Sequence, residues 1–173
     1  MGRKEKHTYR AVRINNPGAI GLLAPMIEDF AKQMDVKGIS YESLYTYFCA
    51  TAQFGGAIRE FWVIVNELDE VKAFANWFVC GLPHVGKVCC DYIHSSSKSH
   101  TPAKLLFDEF EKFAGRANAL WLEGYARTDT TYRYFKIVAE RNGYDVTPTG
   151  ITNFNARKRP KEKPNENLPK DKD

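Results

Sequence analysis

No apolar run in this 173-residue chain approaches the roughly 18–20 residues that a membrane-spanning helix requires. The first ten residues, MGRKEKHTYR, are charged and lack the apolar stretch of a secretory signal peptide. Together these absences predict a cytoplasmic protein with no membrane partner. Hydrophobic residues nonetheless make up 43% of the chain, which excludes a disordered polypeptide and suffices for the core of one domain.

Cysteine is scarce as well, and no two cysteines are spaced as CxxC. Cys89 and Cys90 are adjacent in a strand-like run, so their side chains are expected on opposite faces of a sheet. Neighbours of this kind form neither a disulfide nor a zinc knuckle. We therefore interpret all four cysteines as small buried hydrophobic residues of a reduced protein and predict no metal cofactor. The other two are Cys49 and Cys80.

The net charge of +4 is concentrated at the two ends of the chain, because residues 1–13 carry +4 and residues 157–173 carry +3. The part between them is slightly acidic, so a broad nucleic-acid-binding surface on the folded body is not expected. We divide the chain into a basic arm (1–7), a folded domain (8–156) and a charged, proline-containing tail (157–173). By composition the tail cannot pack alone, which makes it a candidate contact in a homo-oligomer or a larger protein assembly.

Hydrophobic periodicity and turn residues predict elements in the order β-α-α-β-β-β-α-β-α-β-β. Ser40 suits the N-cap of the second helix, and Gly143 suits the position just after the last one. Pro25 interrupts the first helical pattern, so that helix either begins there or is kinked. Thr101 is expected to cap the long third helix, with Pro102 at its first position. The strands are expected at 8–14, 60–67, 71–81, 85–94 and 120–126 and as a pair within 144–154, and the helices at about 20–34, 41–53, 101–117 and 129–142.

Two local patterns accompany this order of elements. The strand VGKVCCDYIH leads into the polar loop and helix SSSKSHTPAKLL, and the segment FKIVAERNGY ends a helix with Glu140, Arg141, Gly143 and Tyr144. With these patterns, residues 8–156 resemble the GNAT superfamily of N-acetyltransferases. The resemblance implies an α/β fold, in which a mixed, mostly antiparallel sheet is flanked by helices on both faces.

The resemblance also implies a site for acetyl-CoA. In GNAT proteins the fourth strand diverges from the fifth, the pantetheine arm lies in the gap, and the following loop and helix N-terminus hold the pyrophosphate through backbone amides. A helix N-terminus suits this role because its unpaired amides and its dipole attract anions. The implied pantetheine contacts are Tyr92, Ile93 and His94, and the implied pyrophosphate contacts are Ser95, Ser96, Ser97, Lys98, Ser99, His100, Thr101 and Ala103.

The phosphate loop departs from the family's pattern. His100 and Pro102 stand where the family has glycines, and Ser97 stands where it has arginine or glutamine. Glycine lets a backbone approach its ligand closely, and proline has no amide hydrogen to donate. The side chains of Lys98 and His100 and the serine hydroxyls offer partial compensation. The other interpretation is an ordinary polar loop that enters a helix.

The catalytic positions depart as well. Ala139 stands where many GNAT enzymes have a tyrosine that protonates the departing thiolate, and Tyr132, seven residues earlier on the same helix face, is the remaining candidate. Asp91 is a carboxylate in an otherwise apolar strand, which makes it the candidate base for deprotonating an ammonium. It is otherwise the partner of a nearby lysine or arginine. An aromatic run provides either an acceptor wall or ordinary helix packing, and comprises Tyr41, Tyr45, Tyr47, Phe48 and Phe54.

Two functions follow from these patterns. The first is an acyl-CoA-dependent N-acyltransferase in which acetyl-CoA is attacked directly by an acceptor amine and a strand amide stabilises the oxyanion. The alternative is a non-catalytic GNAT-like structural or binding protein, a component of a phage particle or another assembly, located in a virion rather than in the cytoplasm. The degenerate loop, Ala139 and the charged tail favour the alternative. The sequence leaves the acceptor amine and the oligomeric state open.

Overall fold

A computed structural model describes residues 8–34, 39–56, 58–80, 86–97, 99–125, 129–148 and 153–158. The seven strands form a single sheet in the order β1-β2-β3-β4-β5-β7-β6. All neighbouring pairs are antiparallel except β4 and β5, which are parallel. The strands are β1 (Tyr9–Ile14), β2 (Arg59–Asn66), β3 (Val71–Val79), β4 (Lys87–Ser95), β5 (Trp121–Tyr125), β6 (Tyr144–Pro148) and β7 (Asn153–Lys158). β7 thus extends two residues beyond the predicted end of the domain.

Three helices precede β2. A single turn of α-helix, α1 (Pro17–Ile20), continues through a 3₁₀ turn (Gly21–Leu23) into α2 (Ala24–Met34), and α3 (Tyr41–Phe54) follows. Pro25 therefore lies in the first turn of α2, where the missing amide costs nothing, and the first of the two alternatives for this proline is the observed one. No helix among the described residues is long and apolar enough to cross a membrane.

The N-terminus of α3 confirms the predicted cap. The Ser40 hydroxyl accepts a hydrogen bond from the Ser43 amide at 3.2 Å, and the Ser43 hydroxyl accepts one from the Ser40 amide at 2.9 Å. Two amides that have no partner within the helix are thereby satisfied. Replacing Ser40 by alanine is expected to lower the free energy of unfolding by about 1 kcal/mol, measured by urea denaturation. A Ser40→Gly variant, whose loss should be only a few tenths of a kcal/mol, is the matched control, and equal losses in both variants would contradict this account.

The remaining helices are α4 (Thr101–Arg116) and α5 (Asp129–Arg141). The predicted start of α4 is wrong by one residue, since His100 occupies the N-cap without a side-chain cap and Pro102 is the second helical residue. Thr101 is the first helical residue, and its hydroxyl accepts a hydrogen bond from the Ser99 hydroxyl at 3.2 Å instead of capping the helix. Gly143 follows α5 with φ = 81°, which confirms its expected left-handed conformation.

Helices cover both faces of the sheet, as expected. Leu23, Ile27 and Phe48 of the N-terminal helices pack with Phe61 and Phe74 of the sheet on one face. On the other face the core joins α4, the end of α5 and the sheet, and includes Trp77, Val88, Leu106, Phe113, Leu122 and Ala139. The central strands are apolar on both faces because both faces are covered.

Candidate active site

The parallel strands β4 and β5 separate part of the way along the sheet. Their pairing runs from Lys87 opposite Trp121 to Cys90 opposite Gly124 and ends there. β4 continues to Ser95, but this last part pairs only with β3. A gap therefore opens beside the second half of β4, where the GNAT resemblance implies the pantetheine arm.

A β-bulge lies at the start of this gap. Asn76 of β3 is opposite Tyr92, whereas the next residue, Trp77, is opposite Cys90, so Asp91 has no partner on β3. A bulge of this kind bends the strand and redirects a side chain. The half-buried Asp91 consequently projects toward α3 rather than following the regular alternation of β4.

The carboxylate of Asp91 belongs to a polar cluster. It accepts a short hydrogen bond from the Tyr47 hydroxyl, and that hydroxyl accepts hydrogen bonds from Arg59 at 3.2 Å and from the Asn76 amide group at 3.3 Å. The Arg59 guanidinium also lies over the rings of Tyr47 and Phe78, with its carbon 5.3 and 5.2 Å from the two centroids. Burial and the neighbouring Asp91 carboxylate raise the pKa of the Tyr47 phenol, so this hydroxyl keeps its proton at neutral pH.

The other members of the aromatic run have different roles. Phe48 is completely buried and packs against Phe61 and Phe74, so it is ordinary core, whereas Phe54 is 75% exposed. Only Tyr47 brings a polar atom to the bulge of β4. No local pattern indicates this contact, because Tyr47 and Asp91 are 44 residues apart in the chain and the bulge brings them together.

The side chains of the three predicted pantetheine residues pack against other side chains of the protein, which leaves little of them to contact a ligand. Tyr92 and His94 point to the side of the N-terminal helices, where both rings contact Phe30. Ile93 packs on the opposite face. Burial lowers the pKa of His94, whose Nε2 lies 3.4 Å from the Asp29 carboxylate. Because the side chains of Tyr92, Ile93 and His94 pack in the two cores, these residues face the gap with their backbone groups.

A strand amide is expected to stabilise the oxyanion, but one such amide of β4 already donates a hydrogen bond to a side chain. The Tyr92 amide donates to Oδ1 of Asn76 at 3.1 Å, and Asn76 is completely buried. A carbonyl oxygen could use this amide only if the Asn76 side chain turned away.

The loop before α4 forms hydrogen bonds within itself. Each of the Ser97, Ser99 and Thr101 amides donates to the hydroxyl of the serine two residues earlier, at 3.1–3.3 Å. The Ser96 amide donates to the carbonyl of Lys72 at 3.1 Å. These four amides are therefore already paired, whereas a phosphate cradle was expected to have unpartnered ones. Lys98 lies outside the described residues. A phosphate would bind here only by displacing weak hydroxyl contacts, which leaves the hydroxyls able to donate to it.

A groove of about 750 Å³ opens between the first turns of α4 and the outer face of α5. Arg133, Ile137 and Arg141 succeed one another at four-residue spacing along α5, and Lys104 faces them from α4. Arg133 was not among the residues predicted from the sequence, and Arg141 entered only as part of the family pattern. The eight-residue spacing of these two arginines on a predicted helix nevertheless indicates that they share one face. The other lining residues are His100, Thr101, Val138 and Asn142.

The two positions considered for a thiolate acid lie on α5. Ala139 is completely buried in the α4-side core, so this position packs instead of facing a ligand. Tyr132 is half-buried near the start of the helix. The role of Tyr132 as the acid that protonates the departing thiolate stays a prediction.

The parting of β4 and β5 is the feature that the GNAT resemblance implied, and solved structures of GNAT acetyltransferases match the chain. A GNAT acetyltransferase from Staphylococcus aureus matches with a TM-score of 0.64 and 11% identity over 88% of this chain and 100% of its own. Diaminobutyrate acetyltransferase from Paenibacillus lautus, in complex with 2,4-diaminobutyric acid and coenzyme A, matches with a TM-score of 0.64 and 13% identity over 88% and 96%.

An N-acetyltransferase from Thermoplasma acidophilum in complex with coenzyme A matches with a TM-score of 0.57 and 12% identity, over 88% of this chain and 99% of its own. No protein-family model matches the sequence, and no curated protein does. The chain thus has the GNAT fold, as the sequence patterns implied, at identities that carry the fold alone.

Proposed function

We propose that the protein is an acyl-CoA-dependent N-acyltransferase that transfers an acetyl group from acetyl-CoA to an amine. The observation that carries the proposal is the basic groove between α4 and α5, which opens beside the loop that leaves the gap of β4. The gap, which would hold the thioester, and the groove, which would hold the phosphates, lie at the two ends of the short segment between β4 and α4. One extended CoA molecule could therefore occupy both.

The groove has the chemistry of a nucleotide-phosphate site. Arg133 and Arg141 are exposed, and Lys104 is 59% exposed, where it pairs with Asp108. Arginine binds phosphate oxygens through two parallel hydrogen bonds, and the apolar surface of Ile137 suits a base or the methylene part of the ligand. The dipole of the 16-residue helix α4 adds positive potential at the same end.

Asp91, at the bulge where the gap begins, is assigned the role of the base. The acceptor ammonium first passes one proton to the Asp91 carboxylate, which frees the lone pair of the amine nitrogen. That nitrogen then forms a bond to the carbonyl carbon as the carbon–sulfur bond breaks, and its second proton passes through solvent to the departing thiolate, so that CoA leaves as the thiol. Tyr47 orients that carboxylate through its hydrogen bond and holds its own proton. The expected role of Asp91 as a base thus remains part of this proposal, together with the newly placed Tyr47.

Calorimetric titration of CoA and acetyl-CoA into the full chain tests the proposal. We expect micromolar binding, and we expect the double variant Arg133→Glu, Arg141→Glu to weaken it by at least about 100-fold. Each charged hydrogen bond contributes about 1.5–3 kcal/mol, and every 1.4 kcal/mol is a factor of ten. Lys32→Glu, Lys112→Glu is the matched control, because it changes the net charge equally at exposed positions outside the groove.

Two outcomes would contradict the proposal. Absence of binding at millimolar CoA would remove the acyl donor and leave the non-catalytic alternative, to which the comparisons lend no support. Equal losses in the groove variant and the control would show a general charge effect instead of a phosphate site. With binding established, a panel of amines that includes 2,4-diaminobutyrate and a polyamine would be assayed for CoA release.

A further inference from the structure

A second cluster of polar side chains lies where the end of β3 meets the first halves of β4 and β5, away from the groove and the bulge. Cys80, Cys89 and Glu123 bring two sulfurs and a carboxylate oxygen within 4.8 Å of one another. The Cys89 thiol lies 3.1 Å from Oε2 of Glu123. We propose that these three side chains form a Zn²⁺ site, with water as the fourth ligand. This inference is independent of the proposed acyl transfer.

The strand register places all three ligands on one face. Cys89 is directly opposite Phe78 on β3 and Glu123 on β5, and residues that are directly opposite share a face of the sheet. Cys80 follows Phe78 by two residues, so it returns to that face. Its amide donates to the Lys87 carbonyl at 2.9 Å, which keeps it in line with β4. The backbone therefore aims the three donor groups at one point.

The spacing fits a metal better than a disulfide. With zinc–sulfur bonds of about 2.3 Å and zinc–oxygen bonds of about 2.0–2.2 Å, tetrahedral ligand atoms lie roughly 3.5–4 Å apart. Cys80 and Cys89 are diagonal neighbours across the strand pair, since Cys80 is in line with Lys87. The Cβ atoms of diagonal neighbours are farther apart than the roughly 3.5–4.5 Å of a disulfide. A disulfide would thus require the strands to shift. An ion would require only that the Cys89 and Glu123 side chains, now 3.1 Å apart, rotate slightly away from each other.

The chemistry of the donors also selects zinc. Thiolates favour zinc among the common divalent ions, and a set of three protein ligands with one water is an established zinc arrangement. Binding releases the two thiol protons to solvent, so two thiolates and a carboxylate leave the loaded site with a net charge of −1. The Lys87 ammonium, 3.3 Å from Glu123, balances that charge. The sequence alone favours four buried hydrophobic cysteines, because no CxxC occurs and because Cys89 and Cys90 are adjacent in a strand. In the structure only Cys89 is buried, and the other three are half-buried.

Cobalt titration of the reduced, chelator-treated full chain tests the site. We expect the near-ultraviolet sulfur-to-cobalt absorption to rise and saturate at one Co²⁺ per chain, and Zn²⁺ to displace the cobalt. Zn²⁺ should also raise the Tm, because an ion that binds only the folded chain stabilises it.

The variants Cys80→Ser, Cys89→Ser and Glu123→Gln each keep the size of the side chain. We expect each to weaken zinc binding by at least about 100-fold, because losing an outer-shell partner alone costs about 10–100-fold. Cys49→Ser is the matched control, since Cys49 contacts the Pro17 carbonyl instead and should bind as the unchanged chain does.

Three results would overturn the proposal. They are the absence of the sulfur-to-cobalt absorption, unchanged affinity in Cys80→Ser or Cys89→Ser, and a Cys80–Cys89 disulfide in non-reduced peptides from a chain that binds no Co²⁺ once reduced. Circular dichroism of each variant establishes that it is folded, and Cys80→Ser, at a half-buried position, keeps the test decisive if Cys89→Ser does not fold.

Discussion

Replacing Glu60 by alanine is expected to lower the free energy of unfolding by about 3–5 kcal/mol. The Glu60 side chain is 2% exposed and accepts hydrogen bonds from Arg116 at 2.8 and 2.9 Å and from the Trp62 indole at 2.8 Å. Arg13 lies 3.0 Å from the same carboxylate. Alanine would leave two guanidinium groups without their common counter-charge, one of them about two-thirds buried, and would detach the end of α4 from β1 and β2.

Urea denaturation of the variant and the unchanged chain provides the measurement. The matched control is Glu28→Ala, because Glu28 forms an exposed pair with Lys32 one helical turn away, with the two side chains 56% and 72% exposed. Exposed pairs contribute about 0–1 kcal/mol, so the control should be nearly neutral. A loss below 1 kcal/mol for Glu60→Ala would show that this cluster contributes no more than a surface pair.

Replacing Asp91 by asparagine is expected to lower kcat by about 10²–10⁴-fold, the usual contribution of a general base. CoA affinity should be unchanged, because Asp91 lies at the bulge and the phosphates are assigned to the groove. Asparagine has the same shape and still accepts the Tyr47 hydrogen bond, but it cannot take a proton from an ammonium. Initial rates with the amine that turns over in the panel, together with CoA calorimetry, separate the two effects.

Tyr47→Phe is the companion variant. It removes the hydroxyl that orients Asp91 and leaves the ring in place, so kcat should fall less than in Asp91→Asn while CoA binding is retained. Unchanged kcat in Asp91→Asn would exclude this carboxylate as the base. A fall in CoA affinity equal to the fall in kcat would point instead to a distorted gap.

The candidate active site shows where sequence reasoning reached its limit. The position of Asp91 in an apolar strand was visible in the sequence, and so was the polar loop before α4. The Tyr47 contact was not visible, because a bulge between Asn76 and Trp77 decides where Asp91 points, and bulges leave no period in a sequence. The loop composition suggested hydroxyl donors for phosphate, yet the same hydroxyls accept hydrogen bonds from their own loop's amides.

The fold itself was determined largely by the chain's local patterns. Alternation within the strands, the Ser40 cap and Gly143 act over a few residues, so the order of elements and the GNAT resemblance could be read directly. Tertiary structure alone decided which distant residues come together: Tyr47 with Asp91, and Cys80 with Glu123. It also decided that Arg133 and Lys104 line the same groove. The physical reason is that such contacts depend on strand register and on the placement of helices over the sheet, which arise from packing of the whole core.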